Sequence, residues 1–303
     1  MFPDNANLIM DMDTIAETVS RGNCILFLGA AIHFPPSPEL VKEHPDYAYP
    51  EKHRPPLGRE FSEQLAKQAN FQQTLPNDSI TNLQRVAQNF EIRKSRNLLV
   101  EEIKKAVFYE KQPSPLLRML AQLNFPIVIT TNYDKLFETA LTQAGKNPIV
   151  SIYKKQELPS KDYPYAMVSP QEPFVFKIHG DINEGESIVI TEEDYIDFVL
   201  RMSSKQQVHP VPLTIQYYLV KCPTLFIGYS LRDYNLRLLF KTLRWKIDAA
   251  NFPKSYSVDL YPDPLVFRIY HDQNNYVSFL SEDVWKFVPE LFNRVKQIEQ
   301  ARI

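Results

Sequence analysis

Glycine and cysteine are scarce: the 303-residue chain holds Gly 7 and Cys 2, against Pro 24. No Cys-x-x-Cys pair exists, which excludes a structural zinc module, and no metal is expected. Cys24 and Cys222 both lie in apolar runs, as buried thiols of a reducing compartment do, so no disulfide is expected. An excess of one charge is missing too. A formal net charge of -2 offers no phosphate-binding surface, and direct nucleic-acid binding is not expected. No apolar run approaches the length of a bilayer span, and the N-terminus Met-Phe-Pro-Asp-Asn-Ala lacks a basic region ahead of an apolar one. These absences lead to the expectation of a cytoplasmic, globular protein with no membrane partner.

What is present suffices for a packed core, with 44% hydrophobic and 12% aromatic residues. The chain is organised around Pro126-Ile-Val-Ile-Thr-Thr-Asn-Tyr-Asp134. Its apolar run does not alternate, which predicts a strand buried on both faces of a parallel sheet. The polar cluster Thr130 to Asp134 then falls at the carboxyl end of that strand, ahead of a helix over 135–143. Ligands of open α/β sheets bind outside such strand ends.

The rest of the chain repeats the pattern. A helix over 7–21 precedes a short buried strand over 23–28 that ends at Gly29. A proline-rich stretch to about Pro56 is too long for a simple connection and is expected to be a lid or a packing arm. Residues 58–123 carry apolar positions every three or four residues in four segments, which predicts a helical insertion subdomain. Further strands are expected at 148–153, 173–178, 188–190, 224–228, 255–260 and 276–280. Helices are expected at 191–202, 212–221, 235–249 and 281–302, the first opening on a capping-box pattern at Thr191-Glu-Glu-Asp194. Strands alternating with helices predict an α/β, doubly wound, Rossmann-like parallel sheet, formed by 1–57 and 124–303, with 58–123 inserted.

Four strand ends carry the candidate ligand chemistry. Gly29-Ala30-Ala31 brings small residues where backbone N–H groups can approach a pyrophosphate, although many strands end in glycine for no such reason. Asn132 and Asp134 flank a strand-to-helix turn. Asp134 there equally suits a helix cap, a role that stabilises by about 1 kcal/mol. His179 closes a hydrophobic strand before Gly180, as a buried turn histidine or as a general base. Gly228-Tyr229-Ser230 is a fourth small, polar strand end. Lys177 reads as a snorkelling side chain.

These stretches, in this order, resemble the sirtuin family. Its Gly-Ala-Gly motif is matched by Gly29-Ala30-Ala31, and its Thr-Gln-Asn-Ile-Asp motif by Thr130-Thr131-Asn132-Tyr133-Asp134. Its His-Gly pair is matched by His179-Gly180, and its Gly-Thr-Ser by Gly228-Tyr229-Ser230. The four-cysteine zinc ribbon of the family's deacetylases has no counterpart, and Ala31 stands where a second glycine is usual. Ile-Thr-Thr-Asn-Tyr-Asp, Lys-Ile-His-Gly and Gly-Tyr-Ser-Leu-Arg-Asp are more similar to the sirtuin-like effector branch of prokaryotic antiphage systems. That resemblance implies NAD+ hydrolysis, with NAD+ as the substrate and cellular NAD+ depleted on infection under the control of a partner. Asn132 and His179 are then the catalytic pair. Gly29, Ala30, Ala31, Thr131, Asp134, Gly228, Tyr229 and Ser230 are the residues that hold the dinucleotide. It also implies a separately encoded partner, a HerA-type ATPase ahead of a short Argonaute, and assembly into a homo-oligomer. The rival readings are a non-catalytic NAD- or ADP-ribose-binding module and a protein deacylase, the latter disfavoured by the cysteine count.

Overall fold

Continuous apolar runs, not alternating ones, build the centre of the sheet. The computed structural model describes residues 5–155, 164, 167–203, 210–231, 253–272 and 277–302. Seven strands pair in them: β1 Ile25–Leu28, β2 Ile127–Thr130, β3 Ile149–Ile152, β4 Phe174–Lys177, β5 Thr224–Ile227, β6 Ser255–Val258 and β7 Val277–Leu280. The order is β3-β4-β2-β1-β5-β6-β7, and every pairing is parallel. All four residues of β1, β2, β4 and β5 are buried. The expected doubly wound parallel sheet is the fold observed.

Helices cover both faces: α1 Asn5–Ser20, α2 Pro38–Glu43, α3 Gly58–Gln68, α4 Phe71–Thr74, α5 Leu83–Arg93, α6 Arg96–Val107 and α7 Pro115–Ala121 in the first part of the chain. They are followed by α8 Leu136–Gln143, α9 Glu192–Ser203, α10 Leu213–Lys221, α11 Pro264–Asp272 and α12 Val284–Gln300. Leu26, Leu28, Val128, Val175, Leu225 and Ile227 face one layer, packed by α1, α7, α8 and α12. Ile25, Phe27, Ile127, Ile129, Phe174, Phe176 and Phe226 face the other, packed by Phe198 and Met202 of α9, Ile215 and Leu219 of α10 and Val266 of α11. Each such side chain removed from water stabilises by about 1.5–3 kcal/mol. Period-two alternation between two covered faces is why these runs read as uniformly apolar.

A third apolar cluster stands apart. Phe61 and Leu65 of α3, Phe71 of α4, Val86 and Phe90 of α5 and Leu99 and Ile103 of α6 pack on Ile182, Ile188 and Ile190 of the chain after β4. Within the expected 58–123 insertion, α7 instead joins the sheet's own core through Leu116, Leu117 and Leu120. The proline-rich stretch is folded as a packing arm. It holds α2 and 3-10 turns at 45–47 and 51–53. Trp285 Nε1 donates to the Phe34 carbonyl at 3.0 Å, and the Gln112 N–H donates to the His53 carbonyl at 3.0 Å.

Two expectations need correction. Residues 188–190 form no strand: the Val189 N–H donates to the His179 carbonyl at 3.0 Å, but the Ile188 and Val189 carbonyls accept from the Arg96 guanidinium and the Tyr133 hydroxyl rather than from a ladder. α12 begins at Val284, three residues later than expected, where the Asp283 carboxylate accepts the Trp285 N–H at 2.8 Å. The capping box is present: Thr191 Oγ1 accepts from Asp194 N–H, and Asp194 Oδ2 accepts from Thr191 N–H, both at 3.1 Å. The helix expected at 235–249 lies outside the described residues, as do Arg232 and Asp233. Both cysteines are free, and burial pushes their thiols up. Among the described residues no helix is long and apolar enough to cross a membrane.

Lys146 supplies a stability test of this packing. Its ammonium donates to the Leu123 carbonyl. Burial, with the Lys296 cation second, lowers it from 10.5 to about 8 against the opposing pull of Glu299. Between about pH 8 and pH 10.5 the unfolded chain therefore binds the extra proton, and stability rises with pH across that window. Lys146→Met is expected to remove that rise, read as the difference in urea midpoint from the wild type at the two ends of the window. A variant that keeps the wild-type slope refutes it.

Candidate functional site

Register brings the four strand ends level. Leu28 is paired with both Thr130 and Ile227, and Thr130 with Lys177. Gly29, Thr131, Ile178 and Gly228 therefore leave the sheet along one edge. The chain moves outward from β1 to β2 on one side and to β5 on the other, so the crevice opens at β1, the switch point of the sheet.

Gly29 and Gly228 lock the first and last of these turns together. Gly228 adopts φ +68, and a Cβ there would stand 2.3 Å from the Ile32 nitrogen and 2.8 Å from the Gly29 oxygen. A Cβ at Gly29 would meet the Gly228 oxygen at 2.4 Å. Only glycine permits that approach. It lets the Ala31 N–H donate to the Gly228 carbonyl at 2.9 Å, while the Ile32 N–H donates to Gly29 at 3.2 Å. The amides of Ala31 and of Ile32, the residue after the Gly29-Ala30-Ala31 motif, are thus committed to the protein itself.

The second turn is held by its own side chains. Thr130 Oγ1 donates to the Leu28 carbonyl at 3.1 Å and accepts the Asn132 N–H at 3.0 Å. Asp134 Oδ1 accepts the Leu136 N–H at 2.9 Å, the helix-capping contact that its position suggested. Its Oδ2 lies 3.3 Å from His33 Nε2. Burial alone would raise the Asp134 carboxyl; His33, then Lys177 and the Leu136 N–H, outweigh it and hold the group below its ordinary value. Asn132 differs from its neighbours. Its Oδ1 is buried with no hydrogen-bond partner among the described residues, an acceptor left open in a turn where Thr130 Oγ1 and both Asp134 oxygens are engaged.

Lys177 corrects the snorkelling expectation. It is fully buried, because both faces of β4 are covered and no route leads its stem to water. Its ammonium donates to the carbonyls of Tyr133 and Asp134 and to Glu138 Oε1 at 3.1 Å, and pairs with Asp181 Oδ2 at 2.7 Å. Burial alone would depress it; the Glu138, Asp181 and Asp134 carboxylates outweigh that and hold it above the ordinary lysine value. One cation therefore ties the Asn132 turn to the His179 turn. His179 is 3% exposed and meets the Tyr195 and Phe198 rings edge-on, centroids 5.3 and 5.4 Å away. Gly180 at φ +90 closes that turn, since a Cβ would stand 2.4 Å from the Ser187 oxygen.

Two cavities result. The first, about 170 Å3, has Thr131, Asn132, Asp134, His179 and His33 on its floor and Ala30 and Tyr229 at its side. Pro55 and Pro56 of the arm and Phe61, Leu83, Ile103 and Val107 of the helical cluster roof it. The second, about 230 Å3, is lined by Ala31, Gly228, Tyr229 and Ser230, and by Asp259 and Glu282 beyond the ends of β6 and β7. Each is smaller than the roughly 300–1,000 Å3 of a drug-sized pocket, and Tyr229 lines both, so an extended ligand would occupy the pair. Of the ten residues expected in the site, nine line one cavity or the other. Gly29 lines neither and acts through the turn. His33, Asp259 and Glu282 were not legible from motif spacing. The carboxylates sit past the outer strands, where only strand order reveals that they face the crevice.

Residues 126–280 match the family described as the SIR2-like domain. The chain belongs to the SIR2-like family. β1 and its Gly29 turn lie outside that match, yet longer alignments cover more of the chain. The NAD(+) hydrolase ThsA of Cytobacillus dafuensis is 32% identical over 181 residues, 59% of this chain and 34% of that protein. Defense-associated sirtuin 2 of Bacillus subtilis is 25% identical over 266 residues, 86% of this chain and 23% of that protein. The NAD(+) hydrolase ThsA of Acinetobacter baumannii is 28% identical over 234 residues, 77% of this chain and 42% of that protein. This SIR2-like chain thus spans well under half the length of these relatives.

Proposed function

We propose that the protein is an NAD+ glycohydrolase that splits the nicotinamide–ribose bond to give nicotinamide and ADP-ribose. The observation that carries it is the buried, unpartnered Asn132 Oδ1 on the same cavity floor as His179. The leaving group is already cationic and departs neutral, so no strong acid is required. What the reaction needs is a held water at the anomeric carbon and a base for its proton. In this reading Asn132 accepts a hydrogen bond from the water or a ribose hydroxyl, and His179 takes the proton as the new C–O bond forms. Thr131 and Ala30 flank the reacting ribose. Ala31, Gly228, Tyr229 and Ser230 hold the phosphates and the adenosine in the second cavity. Asp134, with both oxygens engaged, supports the turn. The roof of proline, phenylalanine and aliphatic side chains excludes bulk water. Two relatives named NAD(+) hydrolase and one named defense-associated sirtuin support the reading.

The wider role follows the same resemblance: a cytoplasmic antiphage effector, homo-oligomeric and regulated by a separate partner, a HerA-type ATPase ahead of a short Argonaute. The 58–123 insertion is proposed as the unit that roofs the reaction centre. The test is release of free nicotinamide from NAD+ by the purified protein, alone and with its partner. A second reading is an ADP-ribose-binding module without turnover, favoured by the commitment of the Ala31 and Ile32 amides to protein carbonyls. Tight ADP-ribose binding with no nicotinamide under either condition would select it.

The second cavity predicts substrate choice. Asp259 and Glu282 line it, and a 2′-phosphate on the adenosine ribose would meet two carboxylates. NADP+ is expected to be cleaved with a kcat/KM at least about tenfold below that of NAD+, a like-charge effect. Asp259→Asn with Glu282→Gln should narrow the gap. Equal use of both dinucleotides by the wild type would place the adenosine elsewhere.

A further inference from the structure

We propose that His33 is a positioning residue that fastens the Asn132–Asp134 turn to the proline-rich arm, so that the seating of the arm sets the reaction geometry. The proposal deepens the NAD+ cleavage reading and rests on it. His33 ends the 3-10 turn after β1, is 1% exposed and lines the first cavity. Its Nε2 lies 3.3 Å from Asp134 Oδ2, and its Nδ1 lies 3.4 Å from the Tyr49 hydroxyl. Tyr49, 7% exposed, donates in turn to the Gln112 carbonyl at 3.1 Å. The path therefore runs from the reaction turn, through the root of the arm, to the middle of the arm and on to the segment ahead of α7.

Both ring nitrogens are occupied. An ionised Asp134 can only accept, so Nε2 carries a hydrogen and Nδ1 is the acceptor, sharing the single Tyr49 hydroxyl hydrogen with the Gln112 carbonyl. An imidazole engaged at both ends does not exchange protons with a substrate, which makes His33 a positioning group and leaves His179 as the base. A phenylalanine would fill the same volume without bringing a buried carboxylate beside it. The polar link costs desolvation that an apolar residue avoids, and what it adds is a fixed distance between two segments. Those segments are the ones that close the cavity: Asp134 lies two residues from Asn132, and the arm carries Pro55 and Pro56 into the wall. The arm is seated at further points as well, among them Phe34 and Tyr47 on Trp285 and His53 on Gln112. Releasing His33 therefore frees the turn without detaching the arm.

The experiment compares His33→Phe, His33→Gln and Tyr49→Phe with wild type in two measurements. The first is amide hydrogen exchange of the ligand-free protein. His33→Phe is expected to speed exchange at residues 131–136 by about tenfold, with little change at 25–28 and 224–227, the pattern of local rather than global opening. The second is steady-state nicotinamide release. kcat is expected to fall about tenfold or more with KM for NAD+ changed less than about threefold, since misplacement costs the transition state and not ground-state binding. His33→Gln, which returns an amide donor toward Asp134, should restore part of both. Tyr49→Phe, which deletes one oxygen and little packing, should move both in the same direction by less; it carries the test if His33→Phe does not fold. Wild-type exchange and wild-type kcat in His33→Phe, or in Tyr49→Phe if that variant has to carry the test, would overturn the proposal. If the wild type itself releases no nicotinamide, the cleavage reading fails. The exchange measurement then decides the role of His33 on its own.

Discussion

Asn132→Ala and His179→Ala are each expected to lower nicotinamide release by about 10²–10⁴-fold while leaving NAD+ binding nearly intact. The factor follows from what each side chain leaves behind. Without His179, the attacking water must lose its proton to solvent from a cavity roofed by Phe61, Leu83, Ile103 and Val107. Without Asn132, an open acceptor on the cavity floor disappears, and the water or ribose hydroxyl loses its anchor. A hundredfold loss corresponds to about 2.7 kcal/mol of transition-state stabilisation. Removing both should cost little more than removing either, as for groups that act as one unit. Binding is spared because most of the dinucleotide would lie against other residues, Gly228 to Ser230 among them. Isothermal titration with ADP-ribose, beside turnover with NAD+, separates the two effects. Wild-type turnover in either variant would remove that residue from the chemistry.

Lys177→Met is the second large effect, and it falls on folding. The substitution keeps the stem and deletes the charge that faces Glu138, Asp181 and the carbonyls of Tyr133 and Asp134. Glu138 and Asp181 would be left as buried carboxylates without a counter-charge. Breaking such a pair from one side costs about 3–5 kcal/mol. A loss of that size is a large part of the roughly 5–15 kcal/mol that holds a domain folded. The loss should appear as a lower urea midpoint with an unchanged slope. Adding Glu138→Gln and Asp181→Asn should recover part of it, because neutral amides tolerate the site better than orphaned charges. A Lys177→Met protein within about 1 kcal/mol of wild type would show that the ammonium is not the tie described.

Much of the fold was legible in the sequence because burial on two faces leaves a plain trace. Ile127 to Ile129, Ile25 to Leu28 and Leu225 to Ile227 are apolar without alternation, and each ends at a glycine or a polar cluster. The longer helices outside 264–272 were legible from their apolar spacing, to within a few residues at each end, whereas α2, α4 and α11 were not anticipated. Legibility stopped where meaning depended on partners distant in the chain. His33 lies 101 residues from Asp134, and nothing near it in the sequence marks the contact. Lys177 read as a surface lysine because its three acidic neighbours come from β2's turn, α8 and the turn after β4. Residues 188–190 are as apolar as a strand, yet they serve the helical cluster rather than the sheet, and periodicity cannot tell those two kinds of burial apart.

The shared apolar cluster of α3 to α6 with Ile182, Ile188 and Ile190 has a mechanical consequence. The helices that roof the first cavity and the segment that follows His179 form a single body. Arg96 of α6 strengthens the joint, donating to the Ile188 carbonyl at 2.6 Å and to Asp194 at 2.8 Å. The roof therefore cannot hinge upward as a free flap. Any swing that widens the entrance drags the chain that holds His179 in place, so under the proposed cleavage reading admitting substrate and displacing the base are one movement. On that reading, a cleft of this build would turn over substrate only when shut.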